Sequence, residues 1–265
     1  MVDRITPAAT EETLADALAL TGCEDHAAIE TEPFSQWVIE DHFPTGRPAW
    51  EAGGALFVDD VRPYELMKLR LLNGAHSMLA YAGFLAGCAY VRDVMARPDL
   101  AHLIARQMNA AAATLPPLEA IDLEAYRDQL LARFANRAIA HRTAQIAMDG
   151  TQKLPQRIFA PAVDTLRAGG DLSAFAFATA VWMRYALGHH EDGTRYALND
   201  PRGDEITAAL KGKTEAAAIS RALHALPGLI PNSLGDNPNW RGAVERTLAT
   251  ILQDGIEAAI RKEAD

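Results

Sequence analysis

No stretch of this sequence approaches the roughly 18 consecutive apolar residues that a membrane-spanning helix requires. The opening residues, Met-Val-Asp-Arg, have neither the basic start nor the apolar run of a secretory signal. Cysteine is scarce: Cys23 and Cys88 stand alone with no C-x-x-C spacing, which argues against a disulfide framework. Free thiols in a reducing cytoplasm are the simplest expectation, so a cytoplasmic protein with no membrane partner is expected. Basic residues never gather into a block, and the formal net charge is −10, a combination that excludes a phosphate-neutralising nucleic-acid surface. There is no internal repeat and no low-complexity tract. The dinucleotide fingerprint G-x-G-x-x-G is missing as well, since "AGGA", "GFLAG" and "AGGD" have neither its spacing nor its strand-to-helix setting.

What remains is a globular composition, 49% apolar and 23% charged over 265 residues, enough to bury a sizeable core. Thr6-Pro7 predicts a helix start, with Glu11 and Glu12 in the early turns and an end near Ala19. The stretches 27–33, 36–43 and 55–61 are short and partly alternating, and predict a small antiparallel sheet. From Pro63 onward 3.6-residue apolar periodicity predicts helices over 63–80, 82–96, 99–112, 123–134, 138–148, 156–168, 173–187, 204–211, 214–225 and 239–262. The polar, turn-rich stretch 188–205 predicts a surface loop. The expected class is mainly α with a small antiparallel β appendage: an N-terminal helix and sheet over 1–62, and a helical body over 63–265.

One helix carries an oddity. "MKLRLLNGAHS" (67–77) is leucine-rich yet holds Lys68, Asn73 and His76. Stepping about 100° per residue from Lys68 puts Glu65 at about 60°, His76 at about 80° and Asn73 at about 140°, on the arc occupied by the leucines. Two readings follow. The lysine can snorkel to solvent while the amide and imidazole satisfy neighbouring loops. Alternatively the three form a catalytic cluster, in which burial lowers a lysine pKa toward a general base's range and the other two polarise a substrate oxygen. Spacing leaves both open.

The wider context points to one of them. "KLRLLNGAHS" resembles the active-site helix of the polyol-specific long-chain dehydrogenase family, with its Lys-x4-Asn-x2-His pattern. "VDRITP" (2–7), residues 32–74 and "HRTAQIAMDGTQKLPQR" (141–157) are similar to the same family in the same order. The resemblance implies a multi-helical substrate domain like the 6-phosphogluconate dehydrogenase C-terminal domain. It also implies a metal-independent secondary-alcohol dehydrogenase using NAD(H). Lys68 would be general acid/base, Asn73 and His76 would polarise the reacting oxygen, and Asp3 would lie near substrate and nicotinamide. Glu65 would assist proton exchange with solvent, although a dipole-favoured residue at a helix start reads equally well. No metal ligand is expected: the one His/acid cluster, His189-His190-Glu191-Asp192, reads as a solvated loop. The N-terminal Rossmann domain that would bind NAD is expected to be absent from the chain and supplied in cis or by a separate chain, leaving the isolated domain inactive.

Within the family, mannitol dehydrogenases carry an Arg and a His where this sequence has Gln145 and Met148. The sequence therefore resembles the fructuronate reductase (D-mannonate oxidoreductase) branch. A hexuronate needs a cation for its carboxylate, and Lys153, Arg142 and Arg157 are candidates, with Lys153 favoured by its place after the Gly150 turn. A hexitol/ketose oxidoreductase of the mannitol 2-dehydrogenase type stays open. So does a non-catalytic helical sugar-acid-binding or scaffold module.

Overall fold

The computed structural model describes residues 1–118 and 121–265. Two short strands start the architecture: β1 (Val2–Asp3) runs antiparallel to β2 (Gln36–Glu40), with Val2 opposite Trp37 and Asp3 opposite Gln36. The third, β3 (Ala55–Val58), runs parallel to β2, from Trp37 opposite Ala55 to Glu40 opposite Val58. The sheet is therefore mixed rather than antiparallel, because residues 41–54 carry the chain back across it before β3 begins. The stretch 27–33 is not a strand. Its Glu32 is buried and turned inward, where the carboxylate accepts the Ile5 N–H at 2.6 Å. Val2–Asp3 takes the edge place instead.

The first helix, α1 (Glu11–Thr21), begins after Thr10 rather than after Thr6. Thr10 Oγ1 accepts from Thr13 N at 3.3 Å and Thr13 Oγ1 accepts from Thr10 N at 3.2 Å, a reciprocal cap that satisfies two otherwise orphaned donors.

The helical body opens with α2 (Arg62–Met67), which has Pro63 in its first turn. It runs unbroken through a π turn (Lys68–Asn73) into α3 (Gly74–Leu85). Then come α4 (Val91–Met95), α5 (Pro98–Ala112), α6 (Leu123–Phe134), α7 (Thr143–Ile146) and α8 (Gly150–Leu154). A second π turn (Pro155–Phe159) joins α8 to α9 (Ala160–Arg167). The remainder is α10 (Ser173–Tyr185), α11 (Gly203–Leu210), α12 (Ala216–His224), α13 (Asn232–Gly235), α14 (Pro238–Asp254) and α15 (Ile256–Ala264). Two predicted helices are split. The helix expected over 82–96 breaks at Gly87, in the left-handed region at φ 76°. That expected over 239–262 breaks at Gly255, where Glu191 Oε1 accepts the Ile256 N–H at 2.6 Å and caps the new helix.

Helices α3 and α10 are apolar on nearly every face, so both must be enclosed, and α10 packs between α3 and α14 at the centre of the body. No helix among the described residues is long and apolar enough to cross a membrane.

A buried relay ties α12 to α14: Trp240 Nε1 donates to His224 Nε2 at 3.0 Å, and His224 Nδ1 donates to the Ser220 carbonyl at 2.8 Å. Burial holds His224 below the ordinary histidine pKa, and it pushes His141 down to about 4. Below about pH 6.5 the unfolded chain therefore binds more protons than the folded one, by up to about 1.4 kcal/mol per pH unit for each such imidazole. Stability should be complete above that pH and fall steadily beneath it. Thermal unfolding from pH 7.5 to 4.5 checks this: His224→Gln should flatten the pH dependence of Tm, and an unchanged slope would contradict the relay's part in it.

Candidate functional site

The first π turn brings Lys68, Asn73 and His76 to one side of the helix. In an undisturbed α-helix they would fan out over an arc of about 140°. One extra residue in the turn rotates everything after it back by about 100°, which brings Asn73 and His76 to within about 40° of the Lys68 direction. The wide turn is closed by Gly74 N donating to the Leu69 carbonyl. Gly74 is required there, since a Cβ on it would lie 2.9 Å from the Arg157 carbonyl oxygen of the second π turn. Alanine would gain about 1 kcal/mol of helix propensity. Forcing two backbones apart costs roughly 1–3 kcal/mol, so Gly74→Ala should lower Tm. It should also displace Asn73, which would show as a larger loss of turnover than of stability.

Lys68 is half-buried, and its Nζ donates to the Val2 carbonyl of β1 at 2.6 Å. The Asn73 carbonyl accepts from Ser77 Oγ at 3.1 Å and from Arg157 Nη1 at 3.5 Å, while its carboxamide has no partner among the described residues. His76 is 6% exposed, stacked on Phe134 at 4.2 Å and edge-on to His141 at 5.4 Å. Its Nε2 is buried without a hydrogen-bond partner. Burial, reinforced by His141, Arg157, Arg133 and Lys68, holds the His76 pKa well below the usual value, so the ring is neutral at pH 7. A neutral imidazole and a free carboxamide beside an ammonium can bind and polarise one oxygen.

The other expected site residues divide. Glu65 is exposed on α2, one turn before Lys68. Lys153 is half-buried on α8, and its Nζ donates to the Met148 carbonyl at 2.6 Å and lies 3.6 Å from Asp149. Burial, then the charge of Arg157, lowers its pKa. Its turn is built on Asp149, whose φ of 59° makes it the one non-glycine in the left-handed region among the described residues. Gly150 follows because a Cβ there would come within 2.6 Å of Tyr81 Oη. Gln145 is half-buried on α7.

Two expected site residues are placed away from a free, enclosed position. Arg142 is exposed, with its guanidinium 5.4 Å from the Tyr90 ring. Asp3 is fully buried and its carboxylate is already engaged, accepting from Tyr126 Oη at 2.6 Å and from Arg133 at 2.8 and 3.2 Å. Arg133 also donates to Glu32 at 2.7, 2.9 and 3.1 Å. Asp3 therefore anchors β1, whose Val2 carbonyl holds Lys68, and presents no free oxygen to a ligand.

The sequence reading missed Arg133, Phe134 and His141. A signal for the first two existed: Arg133 and Phe134 close α6 beside the buried Tyr126 and Leu130, an arginine at the edge of an apolar stripe. His141 lies within the motif "HRTAQ" and was not distinguished there. The His189–Asp192 loop binds itself and its neighbours: His189 Nδ1 pairs with the His190 carbonyl, Asp192 accepts the Thr194 N–H, and Glu191 caps α15.

Residues 60–252 match the family described as mannitol dehydrogenase C-terminal domain, and residues 1–52 match the mannitol dehydrogenase Rossmann domain. The chain belongs to the mannitol dehydrogenase family. It is 42% identical over 261 residues to the D-mannonate oxidoreductase of Escherichia coli K12, a match that covers 98% of the chain and 54% of that protein. It is 34% identical over 268 residues to a mannitol 2-dehydrogenase of Phaeosphaeria nodorum, covering all of the chain and 46% of that protein. The ternary complex of Pseudomonas fluorescens mannitol 2-dehydrogenase with NAD and D-mannitol superposes at a TM-score of 0.91 with 33% identity, over 99% of the chain and 53% of that structure. The chain thus spans about half the length of the relatives it matches. The match over residues 1–52 qualifies the expectation of an absent Rossmann domain: that stretch carries the family's Rossmann description, yet contains no G-x-G-x-x-G loop.

Proposed function

We propose that this chain forms the substrate half of an NAD-dependent oxidoreductase interconverting D-mannonate and D-fructuronate. The reading rests on one observation above all. The π turn turns Lys68, Asn73 and His76 toward one helix face, His76 Nε2 is buried without a hydrogen-bond partner, and Arg157 reaches the Asn73 carbonyl at 3.5 Å. The match to a D-mannonate oxidoreductase supports the sugar-acid branch.

The donor set fits a hydride-transfer cofactor, since it handles a proton and polarises an oxygen but holds no redox group of its own. NAD supplies the hydride acceptor when bound. In oxidation, Lys68 in its amine form takes the hydroxyl proton as hydride leaves the same carbon; in reduction, the ammonium returns a proton to the carbonyl oxygen. Asn73 and His76 hold that oxygen as its charge changes. A cationic neighbourhood suits the substrate carboxylate. A nucleotide-binding half, in cis or on a separate chain, completes the site, because the sequence has no phosphate-cradling glycine loop.

The test is NADH formation from D-mannonate by the chain assembled with a nucleotide-binding half. Turnover of D-mannitol in preference to D-mannonate would favour the hexitol reading, which the mannitol 2-dehydrogenase relatives support. A folded assembly that turns over neither sugar would point to a non-catalytic binding module.

A further inference from the structure

Arg157, like Lys68, is a cation in the cluster without an acid, and unlike Lys68 it carries a planar fork of donors. It is half-buried in the second π turn, and no carboxylate lies within ion-pair distance of it among the described residues. Its contacts are two long ones from Nη1 alone, to Ser77 Oγ at 3.2 Å and to the Asn73 carbonyl at 3.5 Å. Nε and Nη2 have no partner among the described residues. Of the other enclosed arginines, Arg70 is paired with Asp164 at 2.6 Å and Arg133 with Asp3 and Glu32, while Arg184, which also has no acid within ion-pair distance among the described residues, spends its Nη1 on the His189 carbonyl at 2.7 Å. Desolvating a guanidinium without an anion is unfavourable, as the lowered Arg157 pKa reflects, with burial as its chief cause. The backbone leaves it little room to retreat, because the Arg157 carbonyl is pressed against Gly74.

Lys153, the cation favoured from sequence, is already committed. Its ammonium donates to the Met148 carbonyl at 2.6 Å and to that of Ile146 at 3.4 Å, with Asp149 nearby, so it closes the turn between α7 and α8. Arg142 is exposed, beside the Tyr90 ring. A planar fork with unspent donors is also the better geometric match to a carboxylate than an ammonium.

We infer that Arg157 is the residue that binds the carboxylate of an acidic sugar substrate, with its free Nε and Nη2 edge, and so selects sugar acids over neutral polyols. The inference rests on the oxidoreductase reading above and deepens it. It also explains the second π turn. The wide turn sets the guanidinium against the Asn73 carbonyl, placing the carboxylate anchor and the oxygen-polarising amide on touching elements.

The experiment compares D-mannonate with D-mannitol as substrates of the chain assembled with a nucleotide-binding half and NAD. Variants are Arg157→Gln, Arg157→Lys and Lys153→Met. Losing a hydrogen bond to a charged group corresponds to about a ten- to hundredfold change. Arg157→Gln should therefore raise KM for D-mannonate by about that factor, and fall on D-mannonate at least about ten times harder than on D-mannitol. Arg157→Lys, which keeps the charge and loses the fork, should be intermediate. Lys153→Met should affect both sugars alike. Equal losses for both sugars in Arg157→Gln, expressed in kcat, would make Arg157 a staple between the π turns and overturn the inference. So would a Lys153→Met variant that alone discriminates. Wild-type protein that turns over D-mannitol but not D-mannonate would overturn the sugar-acid reading, and this inference with it.

Discussion

Replacing Lys68 by Met should lower turnover by about 10²–10⁴-fold, the usual contribution of a positioned general acid/base, while leaving the fold intact. Folding should be spared because, among the described residues, Nζ makes a single hydrogen bond, to the Val2 carbonyl, and the side chain is half-buried. Losing one such bond costs about 1 kcal/mol or somewhat more. A methionine would cover the same apolar surface with its stem. KM for the sugar should change little, since in the proposed mechanism the lost group acts on the proton being transferred. The diagnostic readout is the pH profile: the limb of kcat/KM that reports the catalytic base should disappear in Lys68→Met and return in part when a small primary amine is added. A variant that keeps its wild-type pH profile while losing a few degrees of Tm would make Lys68 a tether for β1 and nothing more.

The site was half visible in the sequence, and the missing half has one physical origin. Regular α-helical arithmetic spreads Lys68, Asn73 and His76 over a wide arc, and no residue in "KLRLLNG" announces that the helix will widen there. The widening lies where another segment presses in: the Arg157 carbonyl of the second π turn sits so close to Gly74 that no Cβ fits between them. A conflict between helices distant in sequence is not a local property. The same distinction explains the sheet. "QWVIE" alternates and forms β2 as expected. Residues 27–33 alternate as well, yet Glu32 is worth more as a partner for Arg133 and the Ile5 N–H than as a strand residue. Capping was similarly ambiguous: Thr6-Pro7 and Thr10 both offer a hydroxyl, and the reciprocal bond from Thr13 decides for Thr10. The long helices α5, α6 and α10, whose apolar faces need only a core to meet, lie close to their expected spans.

Arg133→Met should be the most damaging single substitution away from the reacting groups. The wild-type guanidinium lies between Asp3 and Glu32, with 0% and 2% of those residues exposed, and spends three nitrogens on them while its face covers Phe34 at 3.9 Å. Removing it leaves two carboxylates sealed together with no cation. Breaking a buried pair in this way costs about 3–5 kcal/mol, or about 10 °C in Tm for a chain of this size. The damage reaches the site along a stated route: Asp3 anchors β1, the Val2 carbonyl of β1 holds Lys68, and the residue after Arg133 is Phe134, on which His76 stacks. Activity should therefore fall in a variant that touches no reacting group. Two further measurements separate this account from a general loss of packing. Unpaired buried carboxylates take up protons readily, so the Tm gap between Arg133→Met and wild type should narrow as pH drops from 7 toward 4.5. Combining Arg133→Met with Asp3→Asn and Glu32→Gln should recover much of the lost stability, since neutral groups of the same shape need no cation. A gap that stays constant with pH, or a triple variant no more stable than Arg133→Met alone, would show that the arginine matters for its bulk over Phe34 rather than for its charge.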